Sequence, residues 1–180
     1  MLVADTSVIS VFSEMGRFDL LLKIVGSRRL AVPGQVVSEV VYGYERKCRF
    51  YEDALKTLKQ AEDAGGHSKA DIEIVEVAQD TAEKFSASNR LGIGESSVIV
   101  FCKQGPKERI ALLDDRKARE VAKKSGVLFT GTIGLIKRGY EICRIKDKKE
   151  LRATLDLLDG TGFRCEGWLA DYVLSSEKDR

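Results

Sequence analysis

Short apolar runs alternate along this chain with stretches whose apolar residues recur every three or four positions. The first run, Leu2-Val3-Ala4, leads to Asp5, and Thr6-Ser7 precede a helical pattern. Val and Leu in a short run suit a buried strand, and small hydroxyls accept bonds from the free N–H groups of a helix start. The spacing therefore predicts a strand ending in Asp5, then a helix over 8–14 capped by Thr6 or Ser7. A second helix follows with Phe18, Leu21, Leu22 and Val25 on one face, closed by Gly26-Ser27, and a strand over 29–32. Pro33 fixes the backbone where a helix begins. From Gln35 to about Ala64 the pattern is long and helical, with Val36, Val40, Val41 and Tyr44 on one face. Gly43 and the 46–49 region bend or interrupt it.

Residues 72–77 alternate partly, as a strand does. A helix over 80–89 and a loop to Gly94 follow. The next helix carries Glu95 in its first turn, where the helix dipole favours an acid by about 0.3–1 kcal/mol. Ile110-Ala111-Leu112-Leu113 reads as a strand running into Asp114-Asp115. Next come a helix over 116–124, a strand over 127–129, and a helix entered through Thr130-Gly131-Thr132. Two more helices fall over 150–158 and 168–174, and the tail from Ser175 to Arg180 frays.

Strands alternating with helices imply an α/β fold, a central mostly parallel sheet flanked by helices. Right-handed crossovers set the C-terminal strand ends along one edge. Asp5 and the Asp114-Asp115 pair share that edge if their strands are neighbours. Ligands bind at such an edge in open α/β sheets. Glu39 and Glu95 lie in helix N-terminal halves that start there, and Glu39 falls at the buried margin of its helix.

Composition narrows the chemistry. The chain has 180 residues and a formal charge of +2, enough for one compact domain and no demand for an acidic or basic partner. No apolar run is long enough to span a membrane, and the start shows no basic segment of a signal peptide, so a cytoplasmic protein is expected. Cys48, Cys102, Cys143 and Cys165 form no C-x-x-C pair and read as thiols in a reducing compartment. His67 is the sole histidine. It sits in the polar Gly65-Gly66-His67-Ser68 stretch, which argues against a zinc site and against Ser-His-Asp or Cys-His catalysis.

Five pieces in order carry a resemblance: Val3-Ala4-Asp5-Thr6-Ser7; Val32-Pro33 with Val36, Glu39 and Val40; Gly92 and Gly94-Glu95-Ser96-Ser97-Val98-Ile99; Ala111-Leu112-Leu113-Asp114-Asp115 with Ala118-Arg119; and Gly126-Val127 with Thr130-Gly131-Thr132-Ile133-Gly134-Leu135. With them the chain resembles PIN-domain proteins, the nuclease fold of VapC-type toxins, over about 2–145, with Gly162-Phe163-Arg164 a weaker echo. The resemblance implies a PIN-like nuclease domain over 1–145 and a C-terminal helical extension over 146–180 packed on the same domain. It also implies a metal-dependent endoribonuclease in which Asp5, Glu39, Glu95 and one or both of Asp114 and Asp115 gather around Mg²⁺ or Mn²⁺. Asp114 is the preferred strand-end ligand, with Asp115 kept beside it. Single-stranded or structured RNA is the implied substrate. An antitoxin protein and a homodimer built on the 35–64 arm are the implied partners.

The residues support this chemistry independently. Two like charges about 4 Å apart repel by roughly 4 kcal/mol at an effective dielectric near 20. Converging carboxylates therefore take up a cation or protons. Hard divalent ions prefer oxygen donors, and one carboxylate can serve as general base. Each acid also has a purely structural role open to it: a cap or turn anchor for Asp5, Asp114 or Asp115, a solvated helix position for Glu39, and a first-turn acid for Glu95. Thr6, Ser7, Thr130 and Thr132 cap helices or orient a carboxylate or a metal-bound water. Arg116, Lys117, Arg119, Lys123 and Lys124, with Arg46, Lys47 and Arg49 on the long arm, are phosphate contacts or solvated helix faces. Tyr42, Tyr44 and Phe50 stack on bases or pack. A different class remains open, a catalytically inactive PIN-fold module that binds RNA or protein. A phosphatase of another α/β family is weakened because no second Asp stands two residues after Asp5.

Overall fold

The computed structural model describes residues 1–26, 28–46, 48–64, 72–163 and 167–176, with only the backbone for 167–170. Lys47, His67 with its 65–68 stretch, Arg164, Cys165, the Trp168 side chain and the tail from 177 lie outside the described residues. Cys48, Cys102 and Cys143 are free thiols.

The chain runs β1 (Leu2–Ala4), α1 (Thr6–Glu14), α2 (Phe18–Val25), β2 (Leu30–Pro33) and α3 (Gly34–Glu45). A 3-10 turn (Arg49–Tyr51), α4 (Glu52–Asp63), β3 (Ile72–Val75), α5 (Gln79–Asn89) and α6 (Ile93–Lys103) follow. The remaining elements are β4 (Ile110–Leu112), α7 (Arg116–Lys124), β5 (Leu128–Thr130), α8 (Thr132–Glu141), α9 (Lys148–Asp159) and α10 (Gly167–Leu174). The expected α/β alternation is present, with most element boundaries within two residues of those read from periodicity.

All four strand pairings are parallel, in the order β3-β2-β1-β4-β5. The chain steps from β1 outward to β2 and β3, then returns to the other side of β1 for β4 and β5. The C-terminal ends of β1 and β4 thus flank the point where the direction of winding reverses, the place where open α/β sheets bind ligands. Ala4 is in register with Leu112, and the Asp5 N–H donates to the Leu112 carbonyl at 3.3 Å. This register brings the residues after both strands to the same edge.

Val3, Ala4, Ala31, Val32, Ala111 and Leu112 are fully buried, as expected of strands covered on both faces. Helix α6 packs over β1, β2 and β4, burying Val98, Ile99 and Cys102. Helices α9 and α10 add Leu151, Leu155, Leu158 and Val173 to the same hydrophobic core.

One local expectation changes, and the interruption expected near 46–49 is present. The helix expected over 8–14 begins at Thr6, because the Asp5 carboxylate itself caps it, accepting the Ser7 N–H. Neither Thr6 nor Ser7 is the cap. The arm expected from 35 to 64 is two helices. Helix α3 ends at Glu45, and the 3-10 turn carries Tyr51 into the core, where its hydroxyl meets Ser10 Oγ. Burying that ring and satisfying its hydroxyl outweigh continued helix, and α4 starts afresh with Glu52 and Asp53 in its first turn.

Candidate active site

Asp5 is only 3% exposed. Its Oδ2 accepts the Ser7 N–H at 3.3 Å and the Ser7 hydroxyl at 2.7 Å. Burial, and secondarily the nearby Glu95 charge, push this carboxyl up to about 6 against the pull of the Ser7 bonds. Among the described residues no Lys or Arg forms an ion pair with Asp5, Glu39, Glu95 or Asp115; the eight ion pairs lie elsewhere.

Glu39 sits one turn into α3 and is held from two sides. Its Oε2 accepts the Thr6 hydroxyl and its Oε1 accepts the Gly94 N–H at 3.0 Å. Helices α1, α3 and α6 are thereby tied at one carboxylate. Glu95 is the third residue of α6 and reaches back to the Gly92 N–H at 2.6 Å. That bond closes the orphan donor at the helix start. Burial and the charges of Asp115 and Glu39 hold Glu95 above its ordinary range, opposed by the Gly92 bond and by Lys117. Glu95 is thus the acid that links this four-acid group: its charge acts on Asp5, and the charges of Asp115 and Glu39 act on it.

The two aspartates after β4 part company. Asp115 caps α7, its Oδ1 accepting the Ala118 N–H at 2.8 Å, and its side chain shares the field of Glu95. Asp114 turns instead toward α8. Its oxygens accept the Thr132 N–H at 2.9 Å, the Thr132 hydroxyl at 2.6 Å and Arg119 at 3.2 Å. Arg119 also binds the Leu113 carbonyl at 2.7 Å. A Cβ at Gly131 would stand 2.6 Å from Asp114 Oδ1 and 2.9 Å from the Leu113 carbonyl oxygen, so only glycine leaves room for this arrangement. Thr132 opens α8 and serves Asp114, whereas Thr130, the last residue of β5, makes no contact with the four-acid group that the described hydrogen bonds record.

The cations divide likewise. Arg116 and Lys117 start α7 at the acidic edge; Arg116 pairs with Glu120 and Lys117 donates to the Arg90 carbonyl at 2.7 Å. Lys123 and Lys124 close the same helix, about 12 Å from its start. Arg46 and Arg49 lie over the rings of Tyr42 and Tyr44, beyond the midpoint of α3. The sequence pattern offered no signal for the Asp114–Thr132 bond or the Glu39–Gly94 bond. Both join residues far apart in the chain, and the bare positions Gly94 and Gly131 that make room for them show only in the structure.

Metal chemistry can be tested on these donors. They are all oxygens, as a hard divalent ion prefers, and they concentrate negative charge on a partly buried edge where no cationic side chain among the described residues pairs with them. Each is fixed by a protein donor, and among the described residues no three acids, cysteines or histidines converge as a ligand cluster. The donor set matches such an ion in atom type and charge.

A family model described as PIN domain matches residues 1–178. The chain belongs to the PIN-domain family, a nuclease-type fold whose members typically use divalent metals. No curated protein and no solved structure matches it.

Proposed function

We propose that this chain is a divalent-metal-dependent endoribonuclease that hydrolyses RNA phosphodiester bonds, acting as the toxin of a toxin–antitoxin pair. The observation that carries the reading is the buried Asp5, in no ion pair among the described residues, beside Glu95 and through it Glu39 and Asp115, where the winding of the sheet reverses. Such a site is costly to the fold and suits a cation and a phosphodiester.

In this reading Asp5, Glu95 and Asp115 hold the ion, Mg²⁺ or Mn²⁺. When bound, it acidifies water and offsets charge on the phosphodiester. Ser7 orients Asp5. Thr6 and Gly94 fix Glu39, which sets the spacing of α1, α3 and α6 around the site. Asp114, committed to Arg119 and Thr132, shapes the turn that presents Asp115. This reverses the preference between the two aspartates drawn from sequence. Arg116 and Lys117 are the cations placed to meet RNA phosphates, while Arg119 acts through Asp114 and Lys123 stands at the far end of α7. A homodimer would use α3 and α4, where Tyr42 is 58% exposed, and an antitoxin would cover the acidic edge.

The test is cleavage of a panel of single-stranded and structured RNAs with Mn²⁺ or Mg²⁺, run against EDTA and against Asp5→Asn. Cleavage lost in both controls is expected. Cleavage that survives both overturns the proposal. RNA bound tightly but never cut would assign the chain to the non-catalytic binding class.

A further inference from the structure

Two hollows lie end to end beside the edge strand β5. The larger, about 470 Å³, is walled by Leu128, Phe129 and the arginines Arg28, Arg138 and Arg144, and no acid among the described residues lines it. The smaller, about 290 Å³, passes Asp114, Arg119 and Phe163. They share Phe129, Thr130 and Gly134, so one groove runs from the turn that presents Asp115 to the arginines. Asp114, the single acid among its described lining residues, is already bound by Arg119 and Thr132.

Arg28 and Arg144 are exposed, and neither pairs with a carboxylate among the described residues. Leu128 and Phe129 are 57% and 37% exposed, on an edge strand whose neighbour β4 buries Ala111 and Leu112. Uncommitted guanidinium groups above an apolar floor call for an anion with a flat apolar part. A nucleotide is such a ligand: phosphate for the arginines, base for the Phe129 ring. An extended peptide would use the β5 backbone as its template, and three residues offer little of it.

We propose that this groove is the track for the unpaired strand of RNA that flanks the cleaved bond, with Phe129 as its stacking platform and Arg28 and Arg144 as its phosphate contacts. The inference rests on the ribonuclease reading and adds where the RNA flanking the cleaved bond lies and which residues hold it. Bases in a duplex are stacked on one another and cannot lie on Phe129. The three residues of β5 span about 10 Å, the reach of two or three stacked nucleotides at about 3.4 Å each.

The experiment measures fluorescence anisotropy of a short labelled oligoribonucleotide and of its duplex, across salt, in EDTA. Asp5→Asn is the common background, so that nothing is cut. Arg28→Ala/Arg144→Ala should weaken single-strand binding about tenfold or more and lower the salt slope by about 1.4, two contacts at roughly 0.7 each. Phe129→Ala should weaken binding about tenfold without changing the slope. Lys149→Ala/Arg152→Ala, removing two exposed cations of α9, is the charge-matched control. Thermal melting confirms that each variant is folded, and the arginine pair, being exposed, carries the test even if Phe129→Ala melts early.

RNA bound with the same affinity and slope by the arginine variant overturns the groove and leaves the ribonuclease reading standing. Duplex bound as tightly as single strand overturns the stacking role of Phe129. A chain that neither binds nor cuts RNA overturns both readings. A labelled Glu-Phe repeat peptide is the last arm. If it is bound through Arg28 and Arg144 while RNA is not, the groove belongs to a protein partner and the proposal falls.

Discussion

Glu39 accepts the Gly94 N–H at 3.0 Å, and Gly94 carries no side chain where a Cβ would stand 2.6 Å from the same carboxylate. The missing side chain and the bond belong together: α6 approaches α3 closely only because this position is bare. Gly94→Ala should push Glu39 off both Gly94 and Thr6 and separate the two helices. A misplacement of about 1 Å costs roughly a hundredfold in rate, and overpacking at a buried position costs about 1–3 kcal/mol. Cleavage should fall by that order, with a lower melting temperature. Unchanged cleavage by a folded Gly94→Ala chain would remove Glu39 from the site.

Asp114 and Asp115 are adjacent, and their substitutions should separate cleanly. Asp115→Asn keeps an amide oxygen to cap α7 and should leave melting nearly unchanged, while metal-dependent cleavage drops by more than about a hundredfold. Asp114→Asn replaces one carboxylate oxygen by an N–H donor between Thr132 and Arg119. Breaking a partly buried charge-assisted set costs about 1–3 kcal/mol, visible as a lower melting temperature in EDTA. Cleavage should fall less than in Asp115→Asn. The reverse ranking in activity would restore Asp114 as the ligand.

Mn²⁺ should stabilise the folded chain, because an ion bound only by the native state adds about 2.7 kcal/mol at a hundredfold excess over its dissociation constant. Differential scanning fluorimetry should show a melting shift that Asp115→Asn and Glu95→Gln each remove. A shift of equal size in both variants would place the ion elsewhere.

Much of this was legible in the chain because it is written locally. Leu2-Val3-Ala4 before Asp5, and Ile110-Ala111-Leu112 before Asp114-Asp115, announce buried parallel strands with acids at their ends, and the strand order then brings them to one edge. The match to the PIN domain agrees with the family read from those motifs. What stayed hidden depends on contacts between distant residues. The break of the arm near 46–49 was legible, but nothing there announces that Tyr51 will be buried against Ser10. Nothing in Asp114-Asp115 tells which carboxylate turns toward Thr132, seventeen or eighteen residues on. A strand-end acid and an N-cap acid look alike until the helix they serve is in place.

Asp5 should make stability fall with rising pH in the absence of metal. Burial first, then the Glu95 charge, raise its carboxyl to about 6 in the folded chain from 3.8 in the unfolded. Below about pH 4 the group is protonated in both states and imposes no penalty. Between about 4 and 6 the folded state holds the extra proton, so stability declines as pH rises, and above about 6 the full cost is present. The gap corresponds to a cost on the order of 3 kcal/mol. Asp5→Asn, whose amide oxygen still meets Ser7, should therefore melt higher than the parent in EDTA at pH 7.5 and about equally at pH 4. The charged carboxylate is what a divalent ion requires, so Mn²⁺ should raise the parent's melting temperature at pH 7.5 and lose that effect as protons compete below about 6. Denaturant melts of both chains at the two pH values, with and without Mn²⁺, measure all of this. An Asp5→Asn chain less stable than the parent at pH 7.5 in EDTA would mean that Asp5 is a structural cap rather than an acid held at a cost for chemistry.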